Sequence, residues 1–291
     1  MRAFPVAGVQ MHVCHGHDNI PVMRHKLDVI IHCFPWVEMV VFSELAPFGA
    51  SMHHAVELPG PEEDQLRDMV RKHSVWLIPG SVFEKKDGKI YNTAPVIIPQ
   101  GDVIARYRKM FPFRPNEKGV TGGTEFVTWD VPDIGRFGIS ICYDMWFPET
   151  TRTLAAMGAE MIIHPSLTDT IDRDVALSIA RASAAINQCS FFDVNGVGDG
   201  GNGRSIVVRP TGTVVYTAGS GEEVIPVDID LNVVRRGRAT GLFGLGQLLK
   251  SFRDREVDFN VYHPNGPGRE YLEKLGPLVA PERRSIAART D

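Results

Sequence analysis

Apolar runs alternate with amphipathic segments along the first hundred residues. Short apolar runs bounded by turn residues are typical of buried strands, and apolar residues at three- to four-residue spacing are typical of helices. The elements predicted in this half are strands at 4–13, 39–42, 75–83, 90–98 and 103–107, and helices at 20–33 and 61–73. A Pro- and Gly-rich loop follows over residues 109–124, and structureless connections of that length are usually functional or disordered.

The second half repeats this alternation. Its predicted elements are strands at 136–141, 161–164, 191–195, 205–208, 214–217 and 223–228, and helices at 148–157 and 173–187. Two successive sets of strands with helices between them predict an α/β fold with two mixed sheets, each covered by helices on one face. Their bare faces would pack together as a four-layer α-β-β-α sandwich. We expect one domain over residues 1–291, in which the aperiodic, Arg- and Gly-rich segment 235–291 is an arm at a subunit interface.

Composition narrows the classes of function. The 31 Lys and Arg against 35 Asp and Glu give a net charge of −4, which argues against a nucleic-acid-binding protein. No apolar run approaches the length of a membrane span, and the N-terminus lacks the apolar segment of a signal peptide. The four cysteines are too few for a disulfide scaffold and fit a reducing compartment, so we expect a cytoplasmic protein without membrane partners.

Three polar residues follow short apolar strands and are candidates for chemistry. Glu44, Lys109 and Cys142 lie just beyond the strands at 39–42, 103–107 and 136–141. Ligand sites of open α/β sheets collect at the carboxyl ends of strands, so these side chains could converge in one cleft.

Together the three residues make chemical sense. Cysteine is a strong nucleophile only as the thiolate, and its ordinary pKa near 8.5 requires a neighbouring base or cation. Glu44 could accept the proton, with a pKa raised by burial, and Lys109 could stabilise the thiolate and later an oxyanion. A cysteine assisted by Glu and Lys, without His, indicates acyl transfer from a carbon–nitrogen bond.

The segments around these residues resemble the nitrilase superfamily of carbon–nitrogen hydrolases. The matching segments are VVFSELAPFG around Glu44, ARYRKMFPF around Lys109 and GISICYDMWFPE around Cys142, with support from GAEMIIHPS, RASAAINQCSFFDVNGVG and DREVDFNVY. The resemblance implies an α-β-β-α sandwich, a Glu-Lys-Cys triad and a homodimer or larger homo-oligomer. It also implies a second glutamate that orients the substrate nitrogen or the incoming water. Glu117 fits that place, with Glu125 as the weaker alternative.

The resemblance further implies a thiol hydrolase that cleaves a non-peptide carbon–nitrogen bond of a linear amide, with a small-molecule amide and water as its partners. Cys142 would attack the carbonyl while Lys109 and the backbone N–H of Tyr143 hold the oxyanion. Glu44 would transfer protons as ammonia leaves and water hydrolyses the thioester. This chemistry requires neither a metal nor an organic cofactor.

Departures from the family patterns bear on the substrate. Tyr-Asp follows Cys142, where nitrilases usually have Trp-Glu. Met145 and Trp146 occupy the places of the arginine pair that suits a carboxylate in carbamoyl-amino-acid hydrolases. The pocket is therefore expected to be apolar and to take a neutral amide. Tyr143, Trp146 and His164 are the candidate substrate contacts, although a satisfied buried histidine is an equal interpretation of His164.

Three alternatives stay open at this point: an N-carbamoyl amino acid hydrolase, a nitrilase, and a non-catalytic binding protein with the same fold.

Two other sequence patterns do not lead to a predicted site. The cluster His12, Cys14, His15 and His17 resembles metal ligands but has no matching second cluster. The glycine-rich segment 197–203 lacks the Gly-Lys-Ser/Thr of a phosphate loop.

Overall fold

Two mixed β-sheets face one another across a shared apolar core, and helices cover their outer faces. The computed structural model describes residues 2–114, 116–263, 265–266 and 268–279. One core cluster joins side chains of both sheets, a second lies under the helices of the first sheet, and a third lies under those of the second sheet. The predicted α-β-β-α sandwich is therefore confirmed.

Sixteen strands are described. They are β1 Phe4–Gln10, β2 His12–Val13, β3 Met39–Phe42, β4 Trp76–Ile78, β5 Val82–Lys86, β6 Lys89–Ile97, β7 Val103–Arg108, β8 Val127–Val131, β9 Gly135–Ile139, β10 Met161–Ser166, β11 Ser190–Asn195, β12 Val197–Gly198, β13 Gly201–Asn202, β14 Ile206–Val208, β15 Val214–Thr217 and β16 Glu223–Ile229. The first sheet has the order β16-β1-β3-β4-β6-β5, with β7 also paired to β6. The second has the order β15-β14-β11-β10-β9-β8, and β2, β12 and β13 form a small third sheet.

The helices are α1 Ile20–Cys33, α2 Pro61–His73, α3 Pro148–Ala156, α4 Arg173–Ile186, α5 Leu231–Thr240, α6 Leu248–Arg253 and α7 Arg269–Lys274. Short 3₁₀ segments cover Met52–His54, Cys142–Trp146 and Asn260–Tyr262. Among the described residues, no helix is long and apolar enough to cross a membrane.

The continuous apolar run of β1 follows from its place in the sandwich. Phe4 and Val6 face the core between the sheets, whereas Ala7 and Val9 face the layer of α1 and α2. Because side chains of a strand alternate between two faces and both faces are covered here, neither face needs polar residues. The parallel neighbours β1, β3 and β4 form the centre of this sheet.

The segment predicted as one strand over 75–83 is instead two, β4 and β5. The chain turns at Gly80, whose φ is +79°. A Cβ atom at Gly80 would lie 1.7 Å from the backbone oxygen of Ser43, so this close approach requires glycine. The turn thereby packs against the residue that precedes Glu44.

Two further elements differ from the sequence-based expectation. Strand β8 was not predicted, and α5 occupies the start of the segment expected to be aperiodic from Arg235. The guanidinium of Arg235 donates to Glu160 Oε1 at 2.7 Å, and Val234 is fully buried, so α5 packs on the sandwich. The rest of the proposed arm exposes many apolar side chains, and residues 280–291 lie outside the described residues. The single-domain organisation and the interface role stay predictions.

Candidate active site

A cavity of about 240 Å³ opens at the carboxyl ends of the central strands of both large sheets. Glu44 follows β3, Lys109 directly follows β7, and Cys142 follows β9. These three side chains and Glu117, from the loop after Lys109, all line this cavity. The structure thus brings together the four residues that were predicted to carry the chemistry.

The buried ammonium of Lys109 joins the two carboxylates. Its Nζ donates to Glu44 Oε1 and to Glu117 Oε2, both at 2.8 Å. Asn92 makes a second bridge, because its Nδ2 lies 2.8 Å from Glu44 Oε1 and 3.0 Å from Glu117 Oε1. The sequence analysis missed Asn92, because a single amide side chain inside the predicted strand at 90–98 was the only indication of it.

The surroundings push the pKa values of the two glutamates in opposite directions. Burial raises the pKa of Glu44 above its ordinary 4.5, and the charge of Lys109 opposes that rise. Burial also acts to raise the pKa of Glu117, but Lys109 and hydrogen bonds from Phe113 N–H and Asn92 outweigh it and lower that pKa below 4.5. Glu44 is therefore suited to take up and release a proton, while Glu117 is held as the anion.

The surroundings of Cys142 favour the protonated thiol. Burial, reinforced by the charge of Glu44, raises the pKa of Cys142 well above its ordinary 9.0, although Lys109 opposes this. Lys109 stays charged, because the anionic groups around it outweigh burial and raise its pKa above 10.5. A free thiolate is therefore disfavoured in this site, and a reaction at the sulfur would need a neighbouring group that takes up its proton.

The backbone at Cys142 adopts a φ of +46°, in the left-handed region that side chains rarely enter. His164 holds this conformation by donating from Nε2 to the Cys142 carbonyl oxygen at 3.1 Å. Its Nδ1 accepts from the Ser140 hydroxyl at 2.7 Å, and burial lowers the pKa of His164 to about 4, so the ring is neutral. His164 thus lies behind the cysteine and is absent from the cavity wall, which differs from its predicted contact with substrate.

Asp144, a buried carboxylate that the sequence analysis did not single out, ties the cysteine turn to the lysine segment. It accepts from Tyr107 Oη at 2.6 Å, and from the backbone N–H groups of Ile141 and Phe111 at 2.9 Å each. Burial raises the pKa of Asp144 to about 6, against the effect of these donors. Through these three hydrogen bonds, Asp144 connects the segment around Lys109 to the turn at Cys142.

We expect Asp144→Asn to destabilise the protein by about 1–3 kcal/mol, because an amide nitrogen would face at least one of these donors and leave it unsatisfied. Urea denaturation followed by tryptophan fluorescence measures the change. Tyr107→Phe is the matched control, since it removes one donor, keeps the carboxylate and should cost less. An unfolding midpoint for Asp144→Asn equal to that of the unmodified protein would contradict this role.

The cavity wall next to Cys142 is aromatic and apolar, as predicted. Tyr143, Met145 and Trp146 contribute to it, and the Tyr143 ring lies edge-on to Phe113 with centroids 5.0 Å apart. Arg173, the first residue of α4, also lines the cavity, and its Nη2 donates to Asp193 Oδ2 at 2.6 Å. Its Nε and Nη1 are buried and have no hydrogen-bond partner among the described residues. No second arginine lines the cavity within the ranges that the structure describes.

The sequence analysis did not predict a metal site at the histidine and cysteine cluster of residues 12–17. The Cys14 sulfur lies 3.3 Å from His12 Nδ1, and His15 borders the cavity. Within the ranges that the structure describes, no group of three or more His, Cys, Asp or Glu side chains is arranged to hold a metal ion.

Comparisons with known proteins agree with this geometry. A family model described as carbon-nitrogen hydrolase matches residues 35–239. Human omega-amidase NIT2 is 31% identical over 239 residues, covering 76% of this chain and 83% of that protein. The structure of Saccharomyces cerevisiae Nit3, a member of branch 10 of the nitrilase superfamily, is similar with a TM-score of 0.75 and 27% identity, covering 82% of this chain and 94% of the other. A carbon-nitrogen hydrolase from Helicobacter pylori G27 also has a TM-score of 0.75, with 25% identity over 89% of this chain and 97% of the other.

Proposed function

The chain belongs to the carbon–nitrogen hydrolase family, and from that premise we propose that it is an amidase that converts a small neutral amide to a carboxylic acid and ammonia. The observation that carries the proposal is the buried network of Glu44, Lys109 and Glu117 around the Cys142 thiol, open to a cavity. Carbon–nitrogen hydrolysis needs a nucleophile, a base that also serves as an acid, and a cation for the oxyanion. This network supplies each of them.

The first half of the reaction forms a thioester. The Cys142 sulfur bonds to the amide carbon while its proton moves to Glu44, and the carbonyl electron pair moves onto oxygen. Lys109 and the backbone N–H of Tyr143 stabilise that oxyanion. The carbon–nitrogen bond then breaks as Glu44 returns the proton to nitrogen, and ammonia leaves.

The second half restores the enzyme. Water attacks the thioester carbon and gives a proton to Glu44, the carbon–sulfur bond breaks, and the carboxylic acid leaves as Cys142 regains its proton. The anionic Glu117 orients first the amide nitrogen and then the water. The net reaction consumes one amide and one water and yields one acid and one ammonia.

The cavity supports a small uncharged acyl group as the substrate. Its volume of about 240 Å³ exceeds the roughly 150 Å³ that accommodates benzene in an engineered apolar cavity. We propose that Tyr143 and Trp146 contact the acyl group. Asp169 and Asp172 border the same cavity, and Arg173 is paired with Asp193 through Nη2 while its buried Nε and Nη1 have no hydrogen-bond partner among the described residues. The apolar wall of Tyr143, Met145 and Trp146 is therefore what favours a neutral amide over an N-carbamoyl amino acid.

The test measures ammonia release from a panel of neutral amides, carbamoyl amino acids and nitriles. Hydroxylamine added during turnover should convert the acyl-enzyme to a hydroxamate, because thioesters react readily with this nucleophile. Carbon dioxide released together with ammonia would instead indicate a carbamoyl hydrolase. Acid formed from a nitrile without amide turnover would indicate a nitrilase, and no turnover with an inert Cys142 would favour a binding protein.

We also propose a homo-oligomer in which the segment after α5 contacts a partner subunit. Phe243 and Leu245 are 73% and 80% exposed, and apolar side chains this exposed often mark interfaces. Light scattering should give at least twice the chain mass of 32.2 kDa, and Phe243→Asp with Leu245→Asp should shift it toward one chain. A monomeric unmodified protein would overturn this proposal.

The four cysteines are unpaired, which supports the cytoplasm as the compartment.

A further inference from the structure

We infer that Asn92 is a positioning residue that confines the proton exchanged during the reaction to one oxygen of Glu44, Oε2. The inference rests on the proposed function, since it concerns the base of that reaction. Asn92 does not line the cavity and is fully buried, so it acts through the carboxylates and not on substrate.

Strand pairing fixes Asn92 beneath the site. It lies in β6, and its backbone oxygen accepts a hydrogen bond from the Lys109 N–H at 2.8 Å. The residue after it, Thr93, pairs with Arg108 in β7. Both bridging donors of the two carboxylates, the amide of Asn92 and the ammonium of Lys109, are thus anchored to the same pair of strands.

The donors fill one oxygen of Glu44 and leave room on the other. Oε1 accepts from both Lys109 Nζ and Asn92 Nδ2, each at 2.8 Å, so both of its lone-pair directions are used. Oε2 accepts only the Leu167 N–H, at 3.0 Å, among the described residues. Glu44, Leu167 and Cys142 all line the cavity, so Oε2, which is hydrogen-bonded to the Leu167 N–H, is the oxygen on the cavity side.

Glu117 shares two of these donors. Its Oε1 accepts from Asn92 Nδ2 at 3.0 Å, and its Oε2 accepts from Lys109 Nζ and from the Phe113 N–H. Like Glu44, Glu117 therefore has two donors on one oxygen and one donor on the other, so the number of donors does not separate the two acids. Asn92 holds the two carboxylates beside a single ammonium without adding a charge.

The orientation of the amide is fixed by the same contacts. Turning the side chain over would put Oδ1 against two carboxylate oxygens. In the present orientation Oδ1 is buried and has no hydrogen-bond partner within the described part of the chain. The fold tolerates this unsatisfied oxygen because the same orientation directs both amide N–H donors toward the acids.

The experiment compares Asn92→Leu and Asn92→Asp with Asn187→Leu. Leucine keeps the approximate shape and removes both donors, whereas aspartate replaces a donor by a third anion. Asn187 is the matched control, since it is a buried asparagine whose Oδ1 also lacks a partner and which does not line the cavity. If Asn92→Leu does not fold, Asn92→Ala serves the same test.

Two readouts are measured against pH: kcat for the amide, and the rate of Cys142 alkylation by iodoacetamide, which needs no substrate. Losing a donor raises the pKa of a carboxylate, so the acidic limb of both profiles should move to higher pH, further in Asn92→Asp than in Asn92→Leu. We expect kcat of Asn92→Leu to fall about 100-fold through misplacement of the acids. Asn187→Leu should move neither limb.

A folded Asn92→Leu with kcat within twofold and an unmoved alkylation limb would overturn the role of Asn92. Failure of the unmodified protein to hydrolyse any amide would instead overturn the proposed function. The alkylation profile would still test the role of Asn92 in that event.

Discussion

Replacing Cys142 with alanine is expected to reduce kcat for amide hydrolysis about 10⁶-fold, the scale seen when the nucleophile of a hydrolase is removed. Glu44 and Lys109 would remain in place, but without the sulfur no covalent intermediate forms. Water would have to attack an unactivated amide directly. Ammonia release under single-turnover and steady-state conditions measures the loss, and hydroxamate formation in the presence of hydroxylamine should disappear with it.

Cys189→Ala is the matched control for this substitution. Cys189 is fully buried beneath the helices of the second sheet, and burial raises the pKa of its thiol to about 12. It behaves as a small apolar side chain, so its replacement should lower stability slightly and leave kcat unchanged. Amide turnover by Cys142→Ala within tenfold of the unmodified protein would exclude Cys142 as the nucleophile.

Lys109→Met is expected to have the second largest effect, because it removes both the proposed oxyanion donor and the only cation among the described residues that bonds to the carboxylates of both Glu44 and Glu117. Lys109 is 1% exposed and lies 2.8 Å from each carboxylate. Removing one partner from a buried ion pair typically destabilises a protein by about 3–5 kcal/mol, since a buried charge is left uncompensated. Activity should also fall by at least the roughly 10²–10³-fold assigned to one oxyanion donor.

The destabilisation of Lys109→Met should depend on pH in a definite direction. Without the ammonium, burial would raise the pKa of Glu44 further above its ordinary 4.5, and the pKa of Glu117 would rise from its lowered value. A group whose pKa is raised by folding supports the folded state below its unfolded pKa, and this support is lost as the pH rises through the folded value. Urea denaturation at pH 5 and pH 8 should therefore show the larger deficit at pH 8.

A second substitution sharpens this test. Adding Glu117→Gln to Lys109→Met removes one of the two carboxylates that have lost their counter-charge. The double variant should recover part of the stability at pH 8, without recovering activity. Equal deficits at both pH values, or no recovery in the double variant, would show that Lys109 does not compensate these charges.

The sequence was informative about the site wherever a residue ended a strand. Glu44, Lys109 and Cys142 could be predicted to converge because the carboxyl ends of strands in a layered sheet share one edge. The strand at 39–42 could be bounded correctly because the polar Glu38 and Ser43 flank its apolar run, and the strand at 214–217 because it follows the turn Pro210-Thr211-Gly212.

Other features depend on contacts that local patterns do not encode. Asn92 lies in the interior of a strand, where one amide does not reveal that it faces two distant carboxylates. Asp144 becomes significant through Tyr107 and Phe111, which are 37 and 33 residues away along the chain. Helix α5 was missed because its arginines obscure the apolar face, although Arg235 and Arg238 bond to groups on the sandwich. Tertiary packing decides each of these cases.

The placement of Glu44, Lys109 and Cys142 has a consequence for how the protein could be divided or rebuilt. Glu44 and Lys109 extend from the seven-stranded sheet, and Cys142 extends from the six-stranded sheet. A cut between Glu117 and β8 leaves Cys142 on one fragment and the other three proposed reacting groups on the other, and it also leaves β16 of the first sheet on the second fragment. Each fragment would therefore be inert when expressed separately. Turnover would return only on their reassociation, and hydrolysis would then serve as a direct signal that the two fragments have docked in the native alignment.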